Sequence, residues 1–121
     1  MTARRLKREG GIRIGGGSAY FNDRVDAALE LVEKGDIDVL MLETLAERTL
    51  ALLQVAYRAG GPPYWERLPQ RLEYFLPACA KHRTALVSNG GGVDPLESAK
   101  MVLSVAERCG VGDLKIAAVT G

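Results

Sequence analysis

The sequence predicts an α/β protein built on a parallel β-sheet, and two observations indicate that class. Short apolar runs alternate with amphipathic segments along the chain, and the run Val39–Leu42 is apolar throughout, as in strands covered on both faces. Strands separated by helices pair in parallel through right-handed crossovers. We therefore expect four parallel strands with helices on both faces, as in Rossmann-like and flavodoxin-like βαβ repeats. Half of a (β/α)₈ barrel is the alternative.

The first strand begins over residues 12–14 and leads into the glycine run Gly15–Ser18. Asn22 or Asp23 is placed to cap the next helix, and Gly35 is placed to end it. Four apolar side chains of that helix repeat at i, i+3, i+4 and i+7 and predict its buried stripe: Val25, Ala28, Leu29 and Val32.

The second strand covers residues 38–42 and has Glu43 at its carboxyl end. Thr44 is expected to cap the second helix, with Glu47 completing a capping box. The Gly-Gly-Pro-Pro run at 60–63 ends that helix. Its predicted buried face consists of Leu50, Leu53, Ala56 and Tyr57.

The segment 64–83 has helical spacing of its apolar residues, but Pro77 removes a backbone hydrogen bond from the interior of a single helix. We expect a kinked helix or two short ones. Tyr64 and Trp65 precede it, and they form either a lid over a ligand or a loop held by its aromatic rings, which we favour.

The third strand, 84–88, stops at a small polar run and is followed by a helix with clear start signals. Asp94 can cap the first turn, Pro95 suits the first helical position, and Glu97 can complete a capping box. The helix runs to about residue 108, and Gly110 ends it. A fourth strand is expected over residues 114–119.

The carboxyl ends of parallel strands lie on one edge of a sheet, where open parallel sheets bind ligands. Glycine loops let a ligand approach the main chain, and a helix amino terminus attracts anions. Neither glycine run is a complete P-loop or dinucleotide fingerprint, so tight turning alone is the alternative role. The candidate ligand-binding residues are Gly15, Gly16, Gly17, Ser18, Thr44, Ser88, Asn89, Gly90, Gly91, Gly92, Thr120 and Gly121.

Glu43 is the candidate catalytic residue, since it is the carboxylate placed directly at a strand end. It could act as a general base if burial raised its pKa. An ordinary acid beside a helix amino terminus is the alternative. The loops contain no histidine for a Ser-His-Asp site. His82 and Cys79 share a helical segment but are too few to bind a metal, and we expect no metal site.

The 16 basic and 15 acidic side chains nearly balance, so charge gives no reason to expect nucleic acid or a membrane as a partner. Residues 1–10 predict a basic, flexible leader and 11–121 a single domain. Two cysteines without CxxC spacing suit a cytoplasmic protein. Because a helix is expected to follow the strand that ends at Thr120–Gly121, we expect a fragment of a longer protein.

Three ordered blocks of the sequence resemble the amino-terminal part of the acyclic terpene utilisation protein A family. They are Ile12–Ser18 with Asn22-Asp23, Leu31–Leu40 continuing through Leu45–Thr49, and Val87–Pro95. The resemblance implies catabolism of citronellol- and geraniol-type terpenes, whose intermediates are coenzyme A thioesters. This chain has Glu43 where similar proteins often have aspartate, and Gly90 where alanine is common.

The preferred functional hypothesis is a cytoplasmic catabolic protein that binds a phosphate-bearing ligand, such as an acyl-coenzyme A ester or a nucleotide, at the glycine-rich strand ends. Whether it is an enzyme stays open. One alternative is a non-catalytic interaction module, or a truncated subunit, completed by the remainder of a longer chain, by a second copy or by another chain. A generic nucleotide-binding α/β enzyme is the other alternative.

Overall fold

The computed structural model describes residues 10–121, so nearly all of the predicted basic leader lies outside the described residues. Seven helices and strands are assigned within that range. The strands are β1 (Ile14–Ser18), β2 (Val39–Leu42) and β3 (Ala85–Ser88); the helices are α1 (Val25–Lys34), α2 (Glu47–Arg58), α3 (Leu68–His82) and α4 (Pro95–Arg108). None of these helices is long and apolar enough to cross a membrane.

The three strands form one parallel sheet in the order β1-β2-β3. Gly15, Leu40 and Leu86 are aligned across it, and Ser18, Leu42 and Ser88 are aligned at its carboxyl edge. The predicted α/β class with parallel pairing is therefore confirmed. A register irregularity between Gly16 and Ser18 shows that β1 is bulged near its end.

The main core lies between β2 and the helices α1 and α3. Leu40 and Leu42 of β2 alternate with Val39 and Met41, so every second side chain points into this core. Burying such a side chain contributes roughly 1.5–3 kcal/mol, which makes this layer the main source of stability. The fully buried members are Ala28, Val32, Ile37, Leu40, Leu42, Phe75 and Cys79.

A second cluster joins α3 to α4. Leu68, Leu72 and Leu76 repeat every four residues along α3 and pack against Val105 and Ala106 of α4. Leu86 of β3 packs against both clusters. The helix layer is therefore continuous from α1 through α3 to α4.

The opposite side of the sheet is more open. Ile14 is 65% exposed and Val87 is 48% exposed, and both alternate with the side chains that face the helix layer. Val39 and Met41, between them, are half-buried. Since α1 and α3 both pack on the Leu40 side, the described helices that contact the strands cover one face of the sheet.

Two strand predictions were wrong. The first strand covers 14–18 and not 12–14, so Gly15, Gly16 and Gly17 belong to β1 itself and form no turn. Residues 114–119 form no strand, although Leu114, Ile116 and Ala118 are half-buried in alternation with exposed neighbours. That alternation fits an extended chain, but a strand also requires hydrogen bonds to a neighbouring strand.

The helix-start predictions had mixed outcomes. Asp94 caps α4, because its Oδ1 accepts a hydrogen bond from the backbone N–H of Glu97 at 3.1 Å. Neither Asn22 nor Asp23 is the N-cap of α1; that position is Arg24, without a side-chain cap. Thr44 does not cap α2. Ala46 is its N-cap, and the Thr49 hydroxyl accepts from the Ala46 N–H at 2.8 Å.

The predicted buried face of α2 was also wrong. No residue of α2 is buried, and Leu50 and Tyr57 are 41% and 37% exposed. The apolar spacing is present, yet no described element packs closely against it. A helical stripe shows that a helix is amphipathic, but it does not show what covers the stripe.

Segment 64–83 contains a single helix, α3, that continues through Pro77. Proline has no N–H, so the carbonyl of Glu73 four residues earlier loses its usual helical donor. The Cys109 thiol lies 4.0 Å from that carbonyl oxygen and can donate a weak hydrogen bond to it. The contact between α3 and α4 therefore partly compensates for the proline.

Candidate functional site

The candidate site lies at the carboxyl edge of the sheet, where β1, β2 and β3 all end. We call this edge the rim. Neighbouring strands are about 4.8 Å apart, so the exits of β1 and β3 are roughly 10 Å apart, with β2 between them. The expectation that the glycine-bearing strand ends open onto a common surface is confirmed for these two exits.

Direct hydrogen bonds join the ends of β1 and β2. The Ser18 hydroxyl donates to the Glu43 carbonyl at 2.9 Å, and the Glu43 N–H donates to the Ser18 carbonyl at 3.3 Å. Ser18 was predicted to contact a ligand, and its hydroxyl proton is directed here to the neighbouring strand end. The hydroxyl oxygen can still accept a hydrogen bond.

The Asn89 side chain joins the end of β3 to the segment after β2. Its Oδ1 accepts from the Thr44 N–H at 2.8 Å, the Thr44 hydroxyl at 3.1 Å and the Leu45 N–H at 3.3 Å. Its Nδ2 donates to the Leu45 carbonyl at 2.8 Å and to Glu43 Oε1 at 3.3 Å. One amide thus fixes the β2–α2 connection relative to the β3–α4 loop, because it matches both a donor and an acceptor of that connection.

Glu43 is half-buried at the rim. Its carboxylate accepts the long hydrogen bond from Asn89 described above, and its backbone is held by Ser18. In residues 10–121, no group of three or more His, Cys, Asp or Glu side chains is arranged to hold a metal ion. The carboxylate is therefore held by its neighbours at a strand end, and its role as a base stays a prediction.

Packing explains two of the three glycines in β1. A Cβ on Gly17 would lie 2.8 Å from side-chain atoms of both Leu40 and Leu42, and a Cβ on Gly15 would lie 2.6 Å from Leu31. A side chain at either position would force leucine side chains of α1 or β2 to shift, so close packing favours glycine there. Gly16 differs, because a Cβ there would meet no atom within 4 Å. Of the three glycines of β1, Gly16 is the one with open space at the position of a Cβ.

The turn between β1 and α1 contains an acidic side chain, Asp23, whose carboxylate accepts hydrogen bonds from backbone amides of the same turn. Asp23 Oδ2 accepts from the Ala19 N–H at 3.0 Å, and Asp23 Oδ1 accepts from the Arg24 N–H at 2.9 Å. These backbone hydrogen bonds hold the pKa of the Asp23 carboxyl below its usual value. The amide groups that the sequence suggested for a ligand are therefore partly used by a side chain of the same turn.

A cavity of about 320 Å³ lies beside this turn. Arg24 supplies its positive charge, and the same guanidinium contacts Asp26 at 2.6 Å, a hydrogen bond that raises the pKa of Arg24. An anionic ligand here would have to compete with that carboxylate. The lining residues are Gly16, Gly17, Ser18, Ala19, Asp23, Arg24, Ala27 and Ala28.

The β3–α4 loop is held mainly by its own hydrogen bonds. The Ser88 hydroxyl accepts from the Gly90 N–H at 3.0 Å, the Gly92 N–H donates to the Asn89 carbonyl, and the Ser98 hydroxyl donates to the Gly91 carbonyl at 2.7 Å. Gly92 has a φ of 61°, and a side chain there would clash with the carbonyl oxygen of Pro63. The loop after β3 is thus a true glycine turn, unlike the glycines of β1.

The aromatic residues near Trp65 form a pinned loop, as favoured from the sequence. Phe21 meets Trp65 edge to face at 5.3 Å, and the Arg71 guanidinium lies 5.2 Å from the Trp65 ring centre. Arg71 also donates from Nη2 to the carbonyl of Asp23. Sequence reasoning missed Arg71, because the contact that fixes its guanidinium is with a backbone carbonyl 48 residues away in the sequence.

The two terminal candidates lie outside the assigned strands. Thr120 and Gly121 are exposed and belong to no strand, so their predicted place at a fourth strand end was wrong. Gly17, Ser18, Thr44, Ser88 and Asn89 lie at or next to strand ends, and Gly90 to Gly92 follow β3, whereas Gly15 and Gly16 lie inside β1 and Gly15 is buried. The rim that the structure brings together therefore consists of three strand exits.

Comparison with known proteins gives one finding. The model of the family described as acyclic terpene utilisation family protein AtuA matches residues 12–121, which is almost the whole chain. No significant match was found among curated proteins or among solved structures. The matched range includes all three strands and the entire rim, and we conclude that the chain belongs to the acyclic terpene utilisation family AtuA.

Proposed function

We propose that this protein acts in the cytoplasmic catabolism of acyclic terpenes and that its rim binds a phosphate-bearing ligand, an acyl-coenzyme A ester being the favoured example. The family supports the catabolic role. The observation that carries the ligand proposal is that three strand ends meet at one edge and are linked there, β1 to β2 by Ser18 and Glu43, and β3 to the segment after β2 by the Asn89 side chain. A site held in this way is preorganised, which lowers the cost of binding.

The cavity beside β1 gives the ligand a place at this edge. Its volume of about 320 Å³ lies near the lower end of typical small-molecule sites, which span roughly 300–1,000 Å³. Arg24 is the cation available to a phosphate group, and Gly16 leaves the main chain accessible. If the ligand reacts at the rim, Glu43 is the carboxylate placed to accept a proton. Two free cysteines, Cys79 and Cys109, suit a reducing compartment.

A second candidate function is a non-catalytic module whose rim is completed by another copy or a partner chain. A specific observation favours it: Asp23 already occupies amide groups of the β1–α1 turn, and packing alone explains Gly15 and Gly17. In this case the glycines allow close packing and contact no ligand. The two candidates therefore differ in whether a free phosphate ligand binds the isolated chain.

Calorimetric titration with coenzyme A and with an acyl-coenzyme A ester tests the first proposal. Gly16→Val should weaken binding at least tenfold without loss of fold if the ligand contacts the main chain of β1 from the open face of the sheet, because a Cβ on Gly16 lies on that face with Met41 and Val87 and meets no atom within 4 Å. Gly91→Ala is the second site variant, since its Cβ would make only ordinary contacts at 3.4 Å or more. Gly11→Val is the matched control, also in open space but before β1.

Unchanged affinity in both site variants, with an unchanged circular dichroism spectrum, contradicts the proposal. Native mass spectrometry of the purified chain then addresses the second candidate. A copurified ligand supports the binding role, whereas self-association without a ligand supports the module.

A further inference from the structure

A second groove lies between α1 and α3, on the outer side of the helix layer near the rim. Its volume is about 630 Å³. Arg67, Gln70, Arg71 and Tyr74 form one face of α3, since their spacing is i, i+3, i+4 and i+7. The facing stripe has the same spacing and consists of Asn22, which precedes α1, and Val25, Asp26 and Leu29 of α1. The lining residues are Asn22, Val25, Asp26, Leu29, Arg67, Gln70, Arg71 and Tyr74.

Two arginines line this groove, whereas one arginine, Arg24, lines the cavity at the rim. Within residues 10–121, Arg67 forms no ion pair with an acidic side chain. Arg71 is held in place by the Trp65 ring and by the carbonyl of Asp23, but its hydrogen bond there goes to a backbone oxygen and not to a carboxylate. Burial lowers the pKa of Arg71; the Asp23 carboxylate and Tyr20 act against this shift, and the charge of Arg67 adds to it.

The remaining lining residues include one acidic side chain and two aliphatic ones. Asp26 is the acid that lines the groove, and its carboxylate is engaged by Arg24 at 2.6 Å. Val25 and Leu29 are half-buried and provide apolar surface on the α1 side. Cations four residues apart on a helix repel each other, and an anion between them removes that repulsion. The groove therefore combines the charge of Arg67, the charge of Arg71 that Asp23 partly compensates, and an aliphatic wall.

We propose that this groove binds an organic anion with an aliphatic body, whose carboxylate is held by Arg67 and Arg71 and whose chain lies on Val25 and Leu29. Guanidinium groups match a carboxylate through paired N–H donors. The Tyr74 side chain, 55% exposed at the groove, adds an aromatic edge with a hydroxyl. This site shares no lining residue with the cavity beside β1 and does not depend on the ligand proposed there.

Calorimetric titration with octanoate is the test, with octan-1-ol and acetate as the two comparison ligands. Octanol has the chain without the charge, and acetate has the charge without the chain. We expect octanoate to bind at least tenfold more tightly than either. Equal affinity for octanoate and octanol overturns the proposal, as does equal affinity for octanoate and acetate, or no measurable octanoate binding at millimolar concentration.

Variants then locate the site. Arg67→Gln should weaken octanoate binding about tenfold, because it removes one of the two charges from an exposed position without disturbing the core. Arg58→Gln, at the exposed end of α2, is the matched control and should bind as the wild type does. Wild-type affinity in the Arg67 variant overturns the assignment. Gly16→Val should leave octanoate binding unchanged, so failure of the rim proposal and failure of this one are distinguishable.

Discussion

Replacing Asn89 by alanine should destabilise the protein, because one side chain holds two connections together. Its hydrogen bonds with the Thr44 N–H and the Leu45 carbonyl are both 2.8 Å long, and a bond of this kind contributes about 1 kcal/mol net. The three longer ones, at 3.1–3.3 Å, contribute less. Thr44 is only 2% exposed, so its N–H is left with little access to water. We expect a loss of about 2–3 kcal/mol in the free energy of unfolding.

Urea unfolding followed by far-ultraviolet circular dichroism measures this loss. A decrease in Tm of about 10 °C should accompany it for a domain of this size. Asn22→Ala is the matched control: Asn22 is the other asparagine of the described segment, is exposed, and should change the free energy of unfolding by less than about 0.5 kcal/mol. If Asn89→Ala is as stable as this control, the hydrogen bonds of the Asn89 amide do not hold the rim together.

Four further substitutions test the packing of the glycines near the rim and the charge of Asp23. Gly17→Ala should cost about 1–3 kcal/mol in urea unfolding, because its Cβ would lie 2.8 Å from two leucine side chains, whereas Gly16→Ala should cost almost nothing. Gly92→Ala should cost about 2 kcal/mol or more, because φ is 61° there and the new Cβ would clash with the carbonyl oxygen of Pro63; no loss contradicts the assigned turn. Asp23 has a pKa below its ordinary 3.8 in the folded state, so the stability it adds is present above about pH 4 and is lost as the pH falls through the folded pKa. Urea midpoints between pH 3 and pH 6 should vary less in Asp23→Asn than in the wild type, and equal slopes contradict this.

The order of helices and strands up to α4 could be predicted because local signals agreed with tertiary packing. At α4, Asp94 and Pro95 specify the first turn by their own chemistry, and the structure needs nothing else to begin a helix there. Gly110 likewise follows α4 in the left-handed region, with φ 75°, whereas after α1 the left-handed residue is Asp36, with φ 49°, and Gly35 is the C-cap before it. Where the residues that start or end a helix lie within a few positions of its boundary, the sequence alone predicts that boundary.

Strand boundaries depended on a partner that the local sequence does not show. The glycines of β1 resemble a turn, yet Gly15 and Gly16 pair with Leu40 and Met41 of β2, and α1 packs closely over Gly15. Hydrogen bonding to a neighbouring strand and close helix packing outweigh the low strand preference of glycine. The reverse holds for residues 114–119, where an apolar run lacks the pairing that makes a strand.

The convergence of the rim was predictable from topology, but its internal chemistry was not. Parallel strands necessarily bring Ser18, Glu43 and Asn89 to one edge. Which of their polar atoms bond to one another depends on side-chain rotamers and on the bulge in β1, and neither can be derived from spacing. Arg71 was missed for a similar reason, because its importance comes from the Trp65 ring and a backbone carbonyl distant in sequence.

The position of Asp23 gives the rim proposal its most discriminating test. Its carboxylate accepts from the Ala19 and Arg24 amides, so it occupies donors that a phosphate group at this turn would use, and its negative charge repels that group. Asp23→Asn keeps one acceptor oxygen and removes the charge. If a phosphate binds at the β1–α1 turn, coenzyme A should bind this variant several-fold more tightly than the wild type, when both are titrated at pH 7 and the same ionic strength. Equal or weaker binding by a variant that retains the native circular dichroism spectrum means that the turn is reserved for its own carboxylate, and the anionic ligand must then be sought at the arginines of α3.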